Sequence, residues 1–312
     1  MNHGGTLDNI TIKSTVRSTE SRAVTVAYLI LAHTNPEQLA RLVGALQNAS
    51  PVVIHFDLRA DAATYGRSLD LLRGRPKLTF VKRYACRWGG IGIVEATLSA
   101  IRGLVNSGLD FDNAILLSGS DYPIKSHQEI ERFLNENQSR EFIESALLTE
   151  PNRWSNHGGY YRSPDRMVRR HIRFRSKVLF RLPGQRRLPI GLQPYGGSQW
   201  WCLSKDAIHF IAEFNNRVPQ LLSFCRQSFI PDECYLQTVL SNSPLRDRII
   251  SDDLRVVIWD RPTPPYPAVL TIKDLDMLLS SKKLFARKFD SHMDHRVLDA
   301  LDRRNSEMNL SR

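Results

Sequence analysis

Cysteine is scarce: 312 residues hold four, Cys86, Cys202, Cys225 and Cys234, and none forms a CxxC pair. That spacing excludes the common zinc and dithiol motifs. So few thiols in so long a chain argue against a disulfide framework, so free thiols in a reducing compartment are expected. Long apolar runs are missing as well. The longest, Val24 to Ala32, falls far short of the roughly 20 residues that a membrane-spanning helix needs. No GxGxxG or Walker string occurs, which disfavours dinucleotide and P-loop phosphate sites. Residues 1–22 are polar, rich in Ser and Thr, and have no apolar h-region or small-residue cleavage site; a disordered leader and a cytoplasmic protein are expected.

Acidic residues are also in deficit, giving a net charge of +11. The excess is concentrated between Arg162 and Arg187, where ten Arg and Lys stand against Asp165 alone. A charge run is commonly a solvated face, but an anionic membrane, an acidic acceptor or a nucleic acid would also fit it. Val178-Leu-Phe180 and Leu188-Pro-Ile190 interrupt the run with apolar side chains, which favours peripheral contact with an anionic membrane or glycolipid surface. No nucleic-acid partner is expected. An anionic-polymer binding protein remains the reading from a different class, and it would bind with a steep salt dependence.

What is present reads as an α/β domain with a mostly parallel sheet flanked by helices. Strands are expected over Val24–Leu31, Val52–Phe56, Leu78–Val81 and Ala114–Leu117, with helices over Pro36–Leu46, Ala62–Leu72 and Ile91–Val105 between them. The second half is less regular. A helix over Ser126–Glu136 and a strand over Glu141–Leu148 precede the irregular basic region; a helix over Lys205–Asn215, a helix opened by Pro231, a strand over Arg255–Trp259 and a helix over Ile272–Ser280 follow. Open α/β sheets bind ligands at the carboxyl ends of their strands, which singles out His33, Asp57, Arg87-Trp88 and Asp121.

Two segments stand out chemically. In Phe229-Ile-Pro-Asp-Glu233, proline suits the first turn of a helix and holds Glu233 there, where an acid also complements the helix dipole. Some thirty residues upstream, Tyr195-Gly-Gly-Ser-Gln-Trp-Trp-Cys-Leu-Ser204 promises a glycine-loosened, aromatic-walled pocket. Alternation would turn one of Trp200 and Trp201 to the pocket and the other to the core. Ser118-Gly-Ser-Asp121 offers one carboxylate where a metal site would want more hard oxygen ligands, so no metal is expected. Arg287 and Lys288, between Phe285 and Phe289, could neutralise phosphate in its place. Asp252-Asp253 reads as a solvent-facing turn.

Trp88-Gly-Gly-Ile, Ser118-Gly-Ser-Asp-Tyr-Pro-Ile-Lys-Ser126, Gly196-Gly-Ser-Gln-Trp-Trp-Cys-Leu-Ser204, Ile230-Pro-Asp-Glu233 and Leu284-Phe-Ala-Arg-Lys-Phe-Asp290 follow one another in an order that resembles the core-2/I-branching glycosyltransferases, glycosyltransferase family 14. That family includes β-1,6-N-acetylglucosaminyltransferases and protein O-xylosyltransferases. The resemblance implies a single large GT-A-type domain over 23–290, with a nucleotide-binding half over 23–125, an acceptor and catalytic half over 126–290, and a polar tail over 291–312. It further implies inverting, metal-independent transfer from a UDP-sugar, which is a co-substrate, so no cofactor is needed. By the same resemblance Glu233 is the base, and Arg287 and Lys288 hold the diphosphate. Asp57, Arg87, Trp88 and Asp121 belong to the UDP-sugar site, and Gly197, Ser198, Gln199 and Trp200 line the donor and acceptor pocket. N-acetylglucosamine is the first expectation for the sugar and xylose the second, with a glycan, glycolipid or glycoprotein acceptor.

Overall fold

Apolar runs without alternation suit strands covered on both faces, and the first half of the chain builds such a sheet. The computed structural model describes residues 24–46, 50–155, 163–175, 177–261 and 266–310; the leader expected over 1–22, and Arg162, lie outside the described residues. In chain order the first elements are β1 (Val26–Ala32), α1 (Pro36–Ala45), β2 (Val52–Phe56), α2 (Ala62–Leu71), β3 (Leu78–Phe80), α3 (Gly92–Asn106) and β4 (Asn113–Ser118). Then come β5 (Tyr122–Pro123), α4 (His127–Glu136), β6 (Glu141–Ile143), β7 (Ala146–Leu147), α5 (Asp165–Val168), β8 (His171–Phe174), β9 (Lys177–Arg181), β10 (Tyr195–Gly196) and β11 (Trp201–Ser204). The chain continues through α6 (Lys205–Arg217), α7 (Pro219–Cys225), α8 (Tyr235–Ser241), β12 (Ile249–Ile250), β13 (Arg255–Val257), α9 (Leu275–Ser280), β14 (Phe285–Arg287) and α10 (Arg296–Leu310).

The main sheet runs β12-β6-β11-β4-β1-β2-β3. Its pairings are parallel except on the two sides of β11, which is antiparallel to both β4 and β6. β1 leads through α1 to β2 on one side, and α3 returns from β3 to set β4 on the other side of β1, so the order reverses at the crevice between β1 and β4, where such sheets admit a ligand. Alternate residues of β1 serve opposite faces. Val26, Tyr28 and Ile30 join Leu39 and Leu42 of α1, while Ala27 and Leu29 join Leu98 and Ile101 of α3 and Ile208 of α6.

A second sheet, β13-β14-β5, stands at the carboxyl end of β4. Its register sets Arg255 opposite Phe285, and Val257 opposite Arg287. This sheet brings cations from the last third of the chain to the turn that carries Asp121.

The sheet itself continues across residue 125, as a single domain requires, since β6 and β11 extend it beyond β4. Several expectations are corrected. The strand expected over Glu141–Leu148 breaks into β6 and β7, and at the break the Glu144 carbonyl packs tightly against Gly197. The polar tail of 291–312 contains α10, which buries Val297, Leu298 and Leu301 in the core. Its Asp299 and Asp302 pair with Arg41, and Arg304 pairs with Glu129. The region taken as irregular folds into α5 and the β8–β9 hairpin. The helix over Ile272–Ser280 opens as a 3-10 turn, Ile272–Asp274, capped by Thr271, before α9. All four cysteines are free, and no helix among the described residues is long and apolar enough to cross a membrane.

Candidate active site

Glu233 does not open an α-helix as expected. Pro231–Glu233 form a single 3-10 turn, and Cys234 interrupts it before α8 begins. The cause is local: the Glu233 carbonyl accepts from the Gly197 N–H at 2.9 Å rather than from the helix. Ile230, which precedes the turn, has φ +50°. A β-branched residue rarely adopts that left-handed backbone, and such outliers gather at functional sites. Its N–H donates to Gly89 O at 3.1 Å, which ties the turn to the Trp88-Gly89 loop.

The Glu233 side chain is oriented by Arg166. Nη2 donates to Oε2 at 2.6 Å, and the guanidinium is buried while the carboxylate keeps 29% of its surface exposed. Arg166 lies over the Trp154 ring at 4.5 Å, and its Nε and Nη1 have no hydrogen-bond partner among the described residues. A buried guanidinium with one anionic partner fixes that anion's direction without taking it out of the cleft.

The Gly196-to-Trp200 segment links this acid to the cations. A Cβ on Gly197 would sit 1.6 Å from Glu144 O, so only glycine lets the chain pass there. Three extended residues later, about 10 Å at most, the Trp200 ring lies 4.5 Å from the Arg287 guanidinium. Trp201 is fully buried and Trp200 nearly so, both within one core cluster, so neither is turned out as alternation led one to expect. Trp200, however, spends a face on Arg287 and Arg255 rather than leaving both for a sugar. Ser198 Oγ donates to Asp253 Oδ2 at 2.8 Å, and Gln199 shares a narrow recess with Asp232, Thr97 and Tyr235.

Asp121, expected to contact UDP-sugar, is fully buried. Its oxygens take the Ser118 N–H at 2.8 Å and the Ser118 hydroxyl, and form ion pairs with Arg255 at 3.1 Å and Arg287 at 3.5 Å. The carboxylate therefore positions Arg287. Asp252-Asp253 is not a solvent turn either: Asp252 pairs with Lys283 at 2.6 Å and Asp253 braces Ser198, both half-buried.

Asp57 anchors the loop over 86–89. Its Oδ1 accepts from Arg59 N at 2.9 Å and Cys86 N at 3.1 Å. Arg87 is exposed, and Trp88 stands out from the surface with its ring edge against Phe229 at 5.6 Å. Lys288 is half-buried, with Nζ 3.5 Å from Tyr266 O. It lies close enough to His33 that both act on one electrostatic neighbourhood: burial holds the His33 imidazole below its usual value, Asp57 opposes this, and Lys288 and Arg59 add to it. Hydrogen bonds, chain continuity and one ring contact link Asp57, the 86–89 loop, Ile230-to-Glu233, Gly197-to-Trp200 and Arg287 in series, and His33 feels the charges of both Asp57 and Lys288. Glu233 and Arg287 are thereby held at the two ends of the Gly197-to-Trp200 segment.

Arg166, Glu144, Asp253 and Arg255 escaped the sequence reading. Glu144 accepts from the Ser198 N–H and pairs with Arg153 at 2.9 Å; burial raises its carboxyl, Arg153 lowers it, and the charges of Asp253 and Glu233 raise it again. No local pattern marks any of the four. Arg166 in particular had been read as part of the basic surface.

Asp232 provides a pH signature. The residue is half-buried, but Oδ1 is shut away without a hydrogen-bond partner among the described residues. Burial, reinforced by Glu233 and opposed by a backbone hydrogen bond, Arg166 and Arg173, pushes its carboxyl up to about 7. An unfolded aspartate loses its proton near 3.9, so between about pH 4 and pH 7 the folded state holds the extra proton. Stability from this group is present below that window, falls as pH rises through it, and levels beyond. Asp232→Asn should accordingly gain thermal midpoint relative to the parent chain between about pH 5 and pH 8. A difference independent of pH would contradict this.

Residues 26–279 match the family model described as Core-2/I-Branching enzyme. Xylosyltransferase 2 of Rattus norvegicus is 27% identical over 304 residues, covering 89% of this chain and 33% of its own length. The Homo sapiens protein of that name is 28% identical with the same coverage, and Xylosyltransferase oxt of Drosophila melanogaster is 28% identical over 261 residues, covering 80% and 28%. The chain spans about a third of the length of these relatives. Among solved structures, core-mannan synthase A from Aspergillus fumigatus in a Mn/GDP form overlaps 75% of this chain and 73% of that one, with a TM-score of 0.34 and 7% identity. A likeness of that degree carries no argument.

Proposed function

This chain belongs to the Core-2/I-Branching enzyme family, and from that premise we propose that it is an inverting glycosyltransferase that moves a sugar from a UDP-sugar to an acceptor hydroxyl without a metal ion. The observation that supports the reading is one oriented carboxylate, Glu233, and the Arg287 guanidinium held at the two ends of the Gly197-to-Trp200 segment, with Lys288 next in the chain to Arg287. Glu233 takes the proton of the acceptor hydroxyl as its oxygen attacks the anomeric carbon. The bond from that carbon to the diphosphate breaks on the opposite face, and UDP leaves with the electron pair. Such displacement needs one base, whereas glycoside hydrolysis also needs an acid for a poorer leaving group.

Charge growing on the diphosphate falls to Arg287, fixed by Asp121 and Trp200, with Lys288 beside it. Preorganised cations of this kind do what a bound ion does elsewhere. Among the described residues no three His, Cys, Asp or Glu side chains gather as a metal-binding group, and Asp121 is already committed to two guanidiniums.

The names of the relatives favour UDP-xylose over the UDP-N-acetylglucosamine expected first. A panel of nucleotide sugars settles the donor: UDP release should be fastest with one of these two. Release only from GDP- or ADP-sugars would contradict the reading. We place the acceptor among glycans, glycolipids and glycoproteins, and the protein on the cytoplasmic side of a membrane.

A further inference from the structure

The nine described cations from Arg166 to Arg187 do not form one solvated face. Arg166 holds Glu233; Arg169 and Arg181 pair with Asp165; Arg186 donates to the carbonyls of Met167, Val168 and Phe224. Arg173 donates to the carbonyls of Trp88 and Gly89. These five are structural. Arg170, Arg175, Lys177 and Arg187 remain exposed, and they surround the β8–β9 hairpin.

The hairpin has two unlike faces. Its register pairs His171 with Arg181, Ile172 with Phe180, Arg173 with Val178 and Phe174 with Lys177, and the irregularity between Ile172 and Arg173 leaves Leu179 outside the pairing. His171 and Arg173 turn inward to the Phe229 ring, at 5.7 and 5.9 Å. On the other face Phe174 is 62% exposed, Phe180 51% and Ile172 37%, and the bulged Leu179 is 56% exposed. Four large apolar side chains on one small ribbon form a patch of the kind that marks an interaction site.

We propose that this hairpin is a docking element for an anionic lipid bilayer. Its apolar face enters the headgroup region while Arg170, Arg175, Lys177 and Arg187 pair with lipid phosphates. The combination decides the partner. Cations alone would suit any polyanion, and Phe174 and Phe180 could stack on bases, but aliphatic Ile172 and Leu179 in the same patch offer a nucleic acid no such surface and suit an acyl-chain boundary. Apolar side chains ringed by Lys and Arg match the chemistry of an anionic membrane interface. Through Arg173 and Phe229 the same hairpin grips the loop and turn that lead to Glu233, so docking sets the bilayer beside the cleft. The inference stands apart from the transfer reaction and can fail or hold without it.

Co-sedimentation of the full chain with vesicles tests it, using phosphatidylcholine alone and phosphatidylcholine mixed with phosphatidylglycerol. Binding to the anionic vesicles should be at least about tenfold tighter, since each basic residue near such a surface contributes about fivefold. The double change Arg175→Ala and Lys177→Ala should weaken it about 25-fold, and Phe174→Ser with Phe180→Ser by tenfold or more. Both variants should keep the thermal midpoint and UDP release of the parent, since these side chains lie outside the cleft. Equal binding to neutral and anionic vesicles, or parent-like binding by both variants, overturns the proposal. So does a single-stranded oligonucleotide that binds while vesicles do not.

Discussion

Replacing Glu233 with Gln should lower turnover by roughly 10²- to 10⁴-fold, the usual contribution of one positioned base, while UDP still binds. The amide keeps the size of the carboxylate and an oxygen toward Arg166, so the turn from Ile230 to Cys234 should survive. It cannot accept the acceptor's proton. Part of the effect falls on stability, because the buried Arg166 guanidinium keeps an oxygen acceptor but loses its anionic partner. Steady-state kinetics with UDP titration separates the two effects. Turnover above about one per cent of the parent would remove Glu233 from the role of base. Loss of UDP binding together with turnover would mean the cleft itself had been damaged.

Arg287→Ala should show a different pattern. Its guanidinium is held from below by Asp121 and lies over Trp200, so it cannot be replaced by a neighbour swinging in. Removing one preorganised group that stabilises transition-state charge typically costs 10²- to 10³-fold, and kcat/KM should fall by about that much. UDP should also bind more weakly, which Glu233→Gln does not predict. The fold tolerates the change because Asp121 keeps Arg255 and both groups of Ser118. Arg287→Lys should recover part of the rate and not all, since an ammonium cannot reproduce the planar fork. An unchanged kcat/KM in Arg287→Ala would dismiss the cation pair from catalysis.

β1, β2 and β4 were legible because burial on both faces writes them as largely apolar runs, and half-exposed β3 at the sheet edge was legible from its short apolar string; β2 matches the expected span, and β1, β3 and β4 differ only at their ends. Elements stabilised by distant contacts were not. α10 hides three buried aliphatic residues among charges, and its docking depends on Arg41 and Glu129 far upstream. The break between β6 and β7 follows from the Glu144 carbonyl meeting Gly197, a contact across the sheet edge.

The site divides along the same line. Glu233, Gly197 and Arg287 sit in short strings whose local chemistry is distinctive. Arg166 stands 67 positions from Glu233 in a run of similar arginines, and nothing in that run distinguishes the buried one from the exposed ones. Asp121 shows the converse. A carboxylate at a strand end reads as a ligand-binding group, and the two guanidiniums that reach it come from the second sheet.

The central claim is that cations of the chain itself neutralise the diphosphate. Calorimetric titration of UDP into the protein tests it most directly, with excess EDTA and again with Mn²⁺. The account predicts the same affinity in both, with marked weakening only when Arg287 is changed. Binding abolished by EDTA and restored by Mn²⁺ would contradict it.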